Sequence, residues 1–399
     1  MIIGIDIRML ARGARTGVEE YTINLFSGML CLDKNIKYKL FYNGYQKIKL
    51  DYDWLKLPNV EIMQFRMPNR VLDVSSCILN YPKINRLLKG VDLFFSPHIF
   101  LSSVSKKCKT VVTFHDLSFE KYPEFYSAGK NYWHFSMSPK KQAKKADQII
   151  AVSQSTKDDL VNIYNIDPEK IKVIYSGMGD ESRIVNSELR ILEIRKKYNL
   201  PEKYVLYLGT LEPRKNIVGL IKAFEKLRKN PSCSLFQGGG CISPLSKGVR
   251  GISNVKLVIA GSKGWLYKDI FKVAKNSSVR NDIIFTGFIE DKDKSILYSN
   301  AELFVYPSFY EGFGFPPLEA MMYGTPVITS NFSSLPEAVG DAAIMVNPYN
   351  LDELAEAMKI VLADNKLKNL LVKKGFERVK KFNWKKCAEE TLEVLKLVK

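Results

Sequence analysis

Two glutamates, Glu311 and Glu319, bracket the run Glu311-Gly312-Phe313-Gly314-Phe315-Pro316-Pro317-Leu318-Glu319. Ahead of it an apolar stretch from Ala301 ends in Tyr306-Pro307-Ser308, which reads as a buried strand stopped at a proline. Behind it Leu318-Glu319-Ala320-Met321-Met322 is a run of good helix formers, halted at Gly324. The segment is therefore expected to be a strand, a glycine-broken turn and a helix start. Glycines at 312 and 314 let the Phe313 and Gly314 amides approach a ligand closely. A helix N-terminus favours an anion or a hydroxyl-rich group there. A capping acid and a solvated turn residue would explain the spacing on its own. The context argues otherwise: residues 301–350 hold no Lys or Arg but five acids (Glu302, Glu311, Glu319, Glu337, Asp341), in a chain of net charge +18. These carboxylates are not there to pair with near neighbours.

Two further constellations could do chemistry. Arg214-Lys215-Asn216 follows an expected strand at 204–208 and opens an expected helix at 218–228. A forked guanidinium and an ammonium in that setting suit a diphosphate, the plain alternative being a basic helix cap. His115-Asp116 ends an expected strand at 109–113, and His115 is one of three histidines, with His98 and His134. A structural role for it is equally open. Gly13 to Gly17 forms a glycine-containing loop before a helix at 18–30, without the full G-x-G-x-x-G spacing.

These side chains need a scaffold, and 399 residues with 46% hydrophobic composition suffice for two ordinary domains. Apolar strands alternate with helical stretches, the sign of α/β domains with parallel sheets. Strands are expected at 2–7, 38–42, 91–96, 109–113, 148–152 and 172–175 in the first half, and at 204–208, 256–260, 283–286, 301–306, 326–330 and 343–346 in the second. Two doubly wound, Rossmann-like sheets would turn the C-terminal ends of their strands toward a shared cleft. The expected division is a first domain at 1–178, a second at 179–382 and a closing helix within 383–399. Residues 231–253, with Gly238-Gly239-Gly240, stand out as an insertion; no P-loop pattern accompanies them. Six cysteines are scattered without a C-x-x-C pair, which suits free thiols in a reducing cytosol. Neither a bilayer-crossing apolar run nor a signal-peptide pattern is expected, so the reading is cytoplasmic.

The glutamate run resembles the E-x7-E signature of the retaining nucleotide-sugar glycosyltransferases of family 4, which have the GT-B fold. The resemblance extends to Tyr207-Leu208-Gly209-Thr210-Leu211-Glu212-Pro213-Arg214-Lys215-Asn216, Val258-Ile259-Ala260-Gly261 and Phe285-Thr286-Gly287-Phe288. It also covers Thr16-Gly17-Val18-Glu19 and Thr113-Phe114-His115-Asp116. It implies a first domain for the acceptor and a second for the donor, with the C-terminal helix crossing back to the first. Donor contacts would come from Gly17, Gly209, Arg214, Lys215, Gly261, Gly287, Phe288, Glu311, Gly312, Phe313, Gly314 and Glu319. Within that set Arg214 and Lys215 would hold the diphosphate, Glu311 and the Phe313 and Gly314 amides the sugar, and Glu319 the ribose hydroxyls. His115 would contact the sugar near its reactive centre, with Asp116 orienting it or meeting the acceptor. The family's front-face mechanism lets the leaving phosphate help deprotonate the acceptor. Two Asp-x-Asp triplets, Asp51-Tyr52-Asp53 and Asp291-Lys292-Asp293, are of the kind that hold a divalent cation in the other main glycosyltransferase fold. The second pair reads as helix caps and the first as a polar loop, so no catalytic metal and no cofactor are expected.

The +18 charge is spread through the chain: 26 Lys and Arg against 17 Asp and Glu up to residue 178, and 34 against 25 after it, so each half carries +9. Such surfaces face anions. Tyr132-Trp133-His134-Phe135 precedes Lys140, Lys141, Lys144 and Lys145, which share a helical face. A solvated helix flanked by core aromatics is the favoured account. The functional one is docking on an anionic membrane, at the inner face of the plasma membrane, where a lipid-linked acceptor resides. No nucleic-acid module accompanies the stripe. The combined expectation is a retaining, metal-independent hexosyltransferase acting on a glycan or lipid-linked glycan in cell-surface polysaccharide synthesis. Its donor would be GDP-mannose or a UDP-hexose, with mannose the favoured sugar. A GT-B nucleotide-sugar epimerase or hydrolase, and a non-catalytic membrane or nucleic-acid binder, are the competing readings.

Overall fold

The computed structural model describes residues 1–12, 17–44, 50–179, 187–229 and 254–398. The expected insertion at 231–253 and residues 13–16 of the first glycine loop lie outside the described residues. The chain divides into two compact units, one of Met1–Lys121, Ala128–Gly179 and Phe382–Lys399, the other of Tyr122–Ser127 and Asp180–Lys381.

The first unit is built on seven strands: β1 (Ile2–Asp6), β2 (Lys37–Asn43), β3 (Val60–Phe65), β4 (Leu93–Ser96), β5 (Lys109–Phe114), β6 (Gln148–Ala151) and β7 (Ile171–Val173). They pair in the order β3-β2-β1-β4-β5-β6-β7, every pair parallel. The central strands are buried along most of their length, which is why they read as continuous apolar runs rather than alternating ones. Strand β3 was not expected. It is an edge strand with Glu61 and Ile62 exposed, so the period that betrays a buried strand is missing, yet it pairs with β2 from Tyr38↔Val60 to Asn43↔Phe65.

In the second unit, β8 (Tyr204–Leu208), β9 (Lys256–Ala260), β10 (Ile283–Gly287), β11 (Leu303–Tyr306), β12 (Val327–Ser330) and β13 (Ile344–Val346) pair in the order β10-β9-β8-β11-β12-β13, again all parallel. Both sheets reverse strand order beside their first strand. In the second unit this puts the loops that leave β8 and β11 next to each other, at the topological switch point where open α/β sheets bind ligands.

The helix Trp384–Leu397 belongs to the first unit and packs along the helix Gly17–Met29. Its start is fixed by Asn383, whose side chain accepts from the Lys385 amide at 2.7 Å. Gly177 makes room for it: a Cβ there would lie 2.2 Å from the Trp384 nitrogen. Lys396 closes the far end on Asp33 at 2.7 Å. Unforeseen, by contrast, is the short segment Tyr122–Ser127, which belongs to the second unit although its sequence neighbours belong to the first. Aromatic contacts fix it: Phe125 stacks on Phe309 with centroids 5.3 Å apart and Tyr126 on Trp265 at 5.4 Å. The Trp265 indole N–H donates to the Phe125 carbonyl. Among the described residues no helix is long and apolar enough to cross a membrane, and Cys31, Cys108 and Cys387 are free thiols.

Candidate active site

The loop that leaves β8 carries a short 3-10 turn, Pro213–Lys215, and the loop that leaves β11 carries Ser308 to Gly314. Their backbones are stitched together, with the Phe309 amide donating to the Arg214 carbonyl at 2.9 Å. Glu311 is only 7% exposed and takes three donors. Its Oε1 accepts from Lys215 Nζ and from Ser308 Oγ, both at 2.6 Å, and its Oε2 from Arg214 Nη1 at 3.1 Å. Arg214 also donates to the Tyr310 carbonyl at 2.7 Å and, through Nη2, to Glu212 at 2.9 Å. Lys215 donates to the Tyr306 hydroxyl at 2.7 Å. Two cations thus face two buried carboxylates, Glu212 at 2% exposure being the second.

The electrostatics follow from that packing. Burial alone would raise the Glu311 carboxyl, but the charges of Arg214 and Lys215, with hydrogen bonds from Lys215 and Ser308, outweigh it and hold the group at about 2. Burial, joined by the Arg214 charge, pushes the Lys215 ammonium down, while Glu311 and Glu212 pull it back up. Burial keeps the Tyr207 and Tyr306 phenols neutral; the two rings stack with centroids 5.7 Å apart beneath the cations. The helix Ile217–Lys229 starts directly behind: the Asn216 side chain accepts from the Gly219 amide at 3.2 Å and donates to the Pro348 carbonyl at 2.7 Å. Arg214 and Lys215 therefore precede the helix on their own turn rather than capping it. Glu311, expected to hold the donor sugar, here holds Arg214, Lys215 and Ser308. Its carboxylate is occupied, because two buried cations need a counter-charge.

Glu319 lies in the second turn of the helix Phe315–Met322, entered through Gly314 in the left-handed region at φ +105. Its Oε2 accepts from the buried Tyr298 hydroxyl at 2.8 Å. Phe313 is buried and meets Phe315 edge-on at 5.1 Å, whereas Gly312 is half-buried. Three glycines line the neighbouring strand ends. The Gly209 amide donates to the Ala260 carbonyl at 3.0 Å and the Gly261 amide to the Gly287 carbonyl at 2.8 Å. At Gly261, φ is +135 and a Cβ would sit 2.0 Å from the Gly209 oxygen, so no other residue fits. Phe288, next to Gly287, is 67% exposed.

His115, Asp116 and Gly17 belong to the first unit. His115 Nε2 meets the Pro97 carbonyl at 2.8 Å; a carbonyl only accepts, so that nitrogen carries the proton. Burial lowers the imidazole, against the pull of the Pro97 carbonyl and of Asp116. Tyr21 packs edge-on against it at 4.8 Å, and Trp384 of the returning helix against Tyr21 at 5.9 Å. Asp116 makes no hydrogen bond to His115; its carboxylate accepts from the Ser118 amide at 3.0 Å and hydroxyl at 2.6 Å. Gly17 is the exposed first residue of its helix.

The second Asp-x-Asp pair is not a pair of caps. Asp293 is fully buried and bound by Arg190 at 2.5 Å, Lys197 at 2.7 Å and the Tyr198 hydroxyl at 2.8 Å, which fastens the helix Glu188–Tyr198 to Asp291–Ser299. Asp51 and Asp53 are exposed beside Lys56. Among the described residues no group of three or more His, Cys, Asp or Glu is placed to hold a metal ion. In the basic-aromatic stretch, Tyr132 and Phe135 are 72% and 81% exposed, so they are not core aromatics. Sequence reasoning did not single out Glu212, Tyr306, Ser308 or Tyr298. Glu212, two residues before Arg214, carried the one usable signal.

Two parallel sheets of Rossmann order, with a cation–carboxylate cluster at the switch point of the second, define a GT-B glycosyltransferase. Residues 16–181 match the family model "Glycosyltransferase Family 4" and residues 191–378 the model "Glycosyl transferases group 1". The chain is 30% identical over 307 residues to the O-antigen chain mannosyltransferase B of Escherichia coli, covering 77% of this chain and 74% of that one. It is 32% identical over 292 residues to the serotype-specific mannosyltransferase WbdA of the same species, covering 71% of this chain and 33% of that one. The fold is shared with Anabaena Alr3699/HepE, solved in complex with UDP-glucose, at a TM-score of 0.67, 18% identity and 99% coverage of each chain. The chain belongs to the family 4, group 1 glycosyltransferases and is a hexosyltransferase.

Proposed function

We propose that the protein transfers mannose from GDP-mannose, with retention and without a metal, to a glycan or lipid-linked glycan of a surface polysaccharide. The observation that carries the donor half is the Arg214–Lys215–Glu311–Glu212 cluster at the switch point of the second sheet. Its charges balance as it stands, so a nucleotide diphosphate would add negative charge for Arg214, Lys215 and the surrounding amides to meet. In this reading the diphosphate takes over part of both cations, and Glu311, released from them, turns toward the sugar hydroxyls. Glu319, held on one oxygen by Tyr298, offers the other to the ribose. Both curated relatives compared above are mannosyltransferases by name, which supports the sugar; HepE, solved with UDP-glucose, supports a nucleotide-sugar donor. The basic, acid-free helices that carry Tyr132 to Lys145 support a site at a membrane surface and a protein that works on its cytoplasmic side.

The test pairs calorimetry of GDP, GDP-mannose and UDP-glucose with turnover of two variants. Glu311→Gln should leave nucleotide affinity no weaker, since it removes a competitor for the two cations, and should lose turnover, since it removes a contact made in the transition state. Glu319→Gln should weaken nucleotide binding first. Equal effects of both changes on both quantities would overturn the division of roles, and binding of UDP-glucose with no affinity for GDP-mannose would overturn the sugar.

A further inference from the structure

The geometry points to the helix Asn69–Ile78 and the residues after it, through Arg86, as the face by which the first unit seats itself on an anionic bilayer. This rests on the membrane-surface reading just proposed and names the element that makes the contact. On that helix Val71, Val74 and Ile78 fall at the spacing of one stripe, and they are 59%, 57% and 75% exposed. Leu79 and Tyr81 extend the ridge at 71% and 66%. The exposure is not that of a detached helix. Leu72, on the other side, is 1% exposed in a core cluster with Phe41, Ile84 and Leu88, and Asp73 faces Arg8 at 3.7 Å.

The sequence around the ridge is basic, and Lys83 and Arg86 stand next to its end. Positions 66–90 of the sequence hold five basic residues and a single acid, Asp73, which faces Arg8. Lys83 Nζ donates to Ser103 Oγ at 3.1 Å, and that hydroxyl donates to the Asn80 carbonyl at 2.6 Å, so the ammonium sits beside the residue between Leu79 and Tyr81. Burial, and then the charges of Lys145 and Arg86, push the Lys83 ammonium below its usual value, so Lys145, the last residue of the helix Pro139–Lys145, stands within electrostatic reach of Lys83. Between Phe125 and Ala146 the sequence has no acid.

An aliphatic ridge with cations next to its end matches the headgroup–acyl boundary, with apolar side chains below the phosphates and ammonium and guanidinium groups level with them. Nucleic acid would use the cations and leave the ridge in water. A two-fold pairing of copies would bring two cationic patches together.

The experiment is cosedimentation with phosphatidylcholine vesicles, with and without phosphatidylglycerol, beside GDP-mannose calorimetry and light scattering. The wild type should bind the anionic vesicles, lose affinity with added salt, and stay monomeric. Val74→Asp with Ile78→Asp should lower vesicle affinity about a hundredfold or more while leaving Tm and GDP-mannose affinity unchanged. Lys83→Ala with Arg86→Ala should cost about fivefold per cation on anionic vesicles and nothing on neutral ones. A wild type that ignores anionic vesicles, a double aspartate variant that binds as the wild type does, or a dimer that this variant dissolves would each overturn the docking face. Loss of GDP-mannose binding by the wild type would instead strike the functional reading and leave the docking face standing.

Discussion

At the residue scale the site is a problem of charge balance in a buried place. Arg214 serves Glu212 and Glu311 at once, so removing it does two things. Arg214→Ala should lower turnover through the lost contact to the leaving diphosphate, about 2 to 4 kcal/mol in the barrier. It should also destabilise the fold by about 3 to 5 kcal/mol, because two buried carboxylates lose a partner. Measuring turnover on protein shown folded by circular dichroism separates the two, and wild-type turnover in both Arg214→Ala and Lys215→Ala would remove these residues from the chemistry. Acid tests the same cluster. With Glu311 held at about 2, below the ordinary glutamate value, its stabilising contribution is present at neutral pH and is lost as pH falls from the unfolded value toward 2. Urea midpoints should therefore drop more steeply between pH 5 and roughly pH 2.5 in the wild type than in Glu311→Gln. The types and spacing of Glu311, Arg214 and Lys215 were legible in the sequence because each stands beside a strand end. That they bind one another across 96 and 97 residues was not, since local pattern carries no information on which loops meet.

At the element scale, what positions the cluster is the reversal of strand order between β8 and β11. The strands were legible wherever both faces are buried and the run is continuously apolar. Strand β3 escaped because an edge strand keeps polar and exposed residues, and Tyr122–Ser127 escaped because nothing local marks a segment that packs with distant aromatics. Asp293 was misread for a similar reason: an acid at a helix start looks like a cap until its partners on another helix are seen. The glycines at the strand ends give a sharp expectation. Gly261→Ala forces a Cβ to within 2.0 Å of the Gly209 oxygen, moving the turn that leads to Arg214. It should lower both Tm and nucleotide affinity, whereas Ala at Gly287, where a Cβ meets nothing within 4 Å, should cost only the strain of its positive φ, about 1 kcal/mol. Thermal melts of the two variants make the comparison, and equal losses would show that crowding at Gly261 is not the cause.

At the scale of the whole molecule, the surplus of positive charge and the balanced cluster bear on how the reaction handles its leaving group. If Arg214, Lys215 and backbone amides do the work given elsewhere to a divalent cation, hexosyl transfer should be unchanged by EDTA. Strict dependence on added Mg²⁺ or Mn²⁺ would contradict this.

The return of the chain to its first unit has a consequence in time. The helix Trp384–Leu397 fills the groove along Gly17–Met29, but a ribosome must first make everything from Asp180 to Lys381. At roughly 5 to 20 residues per second that is a wait of about 10 to 40 seconds. Through that interval the sheet of the first unit is complete while Tyr21, and the histidine behind it, lack their Trp384 cover. The nascent first unit therefore keeps the apolar face along Gly17–Met29 uncovered until the helix arrives. Slower synthesis across the second unit is therefore expected to lengthen the time for which that face needs shielding.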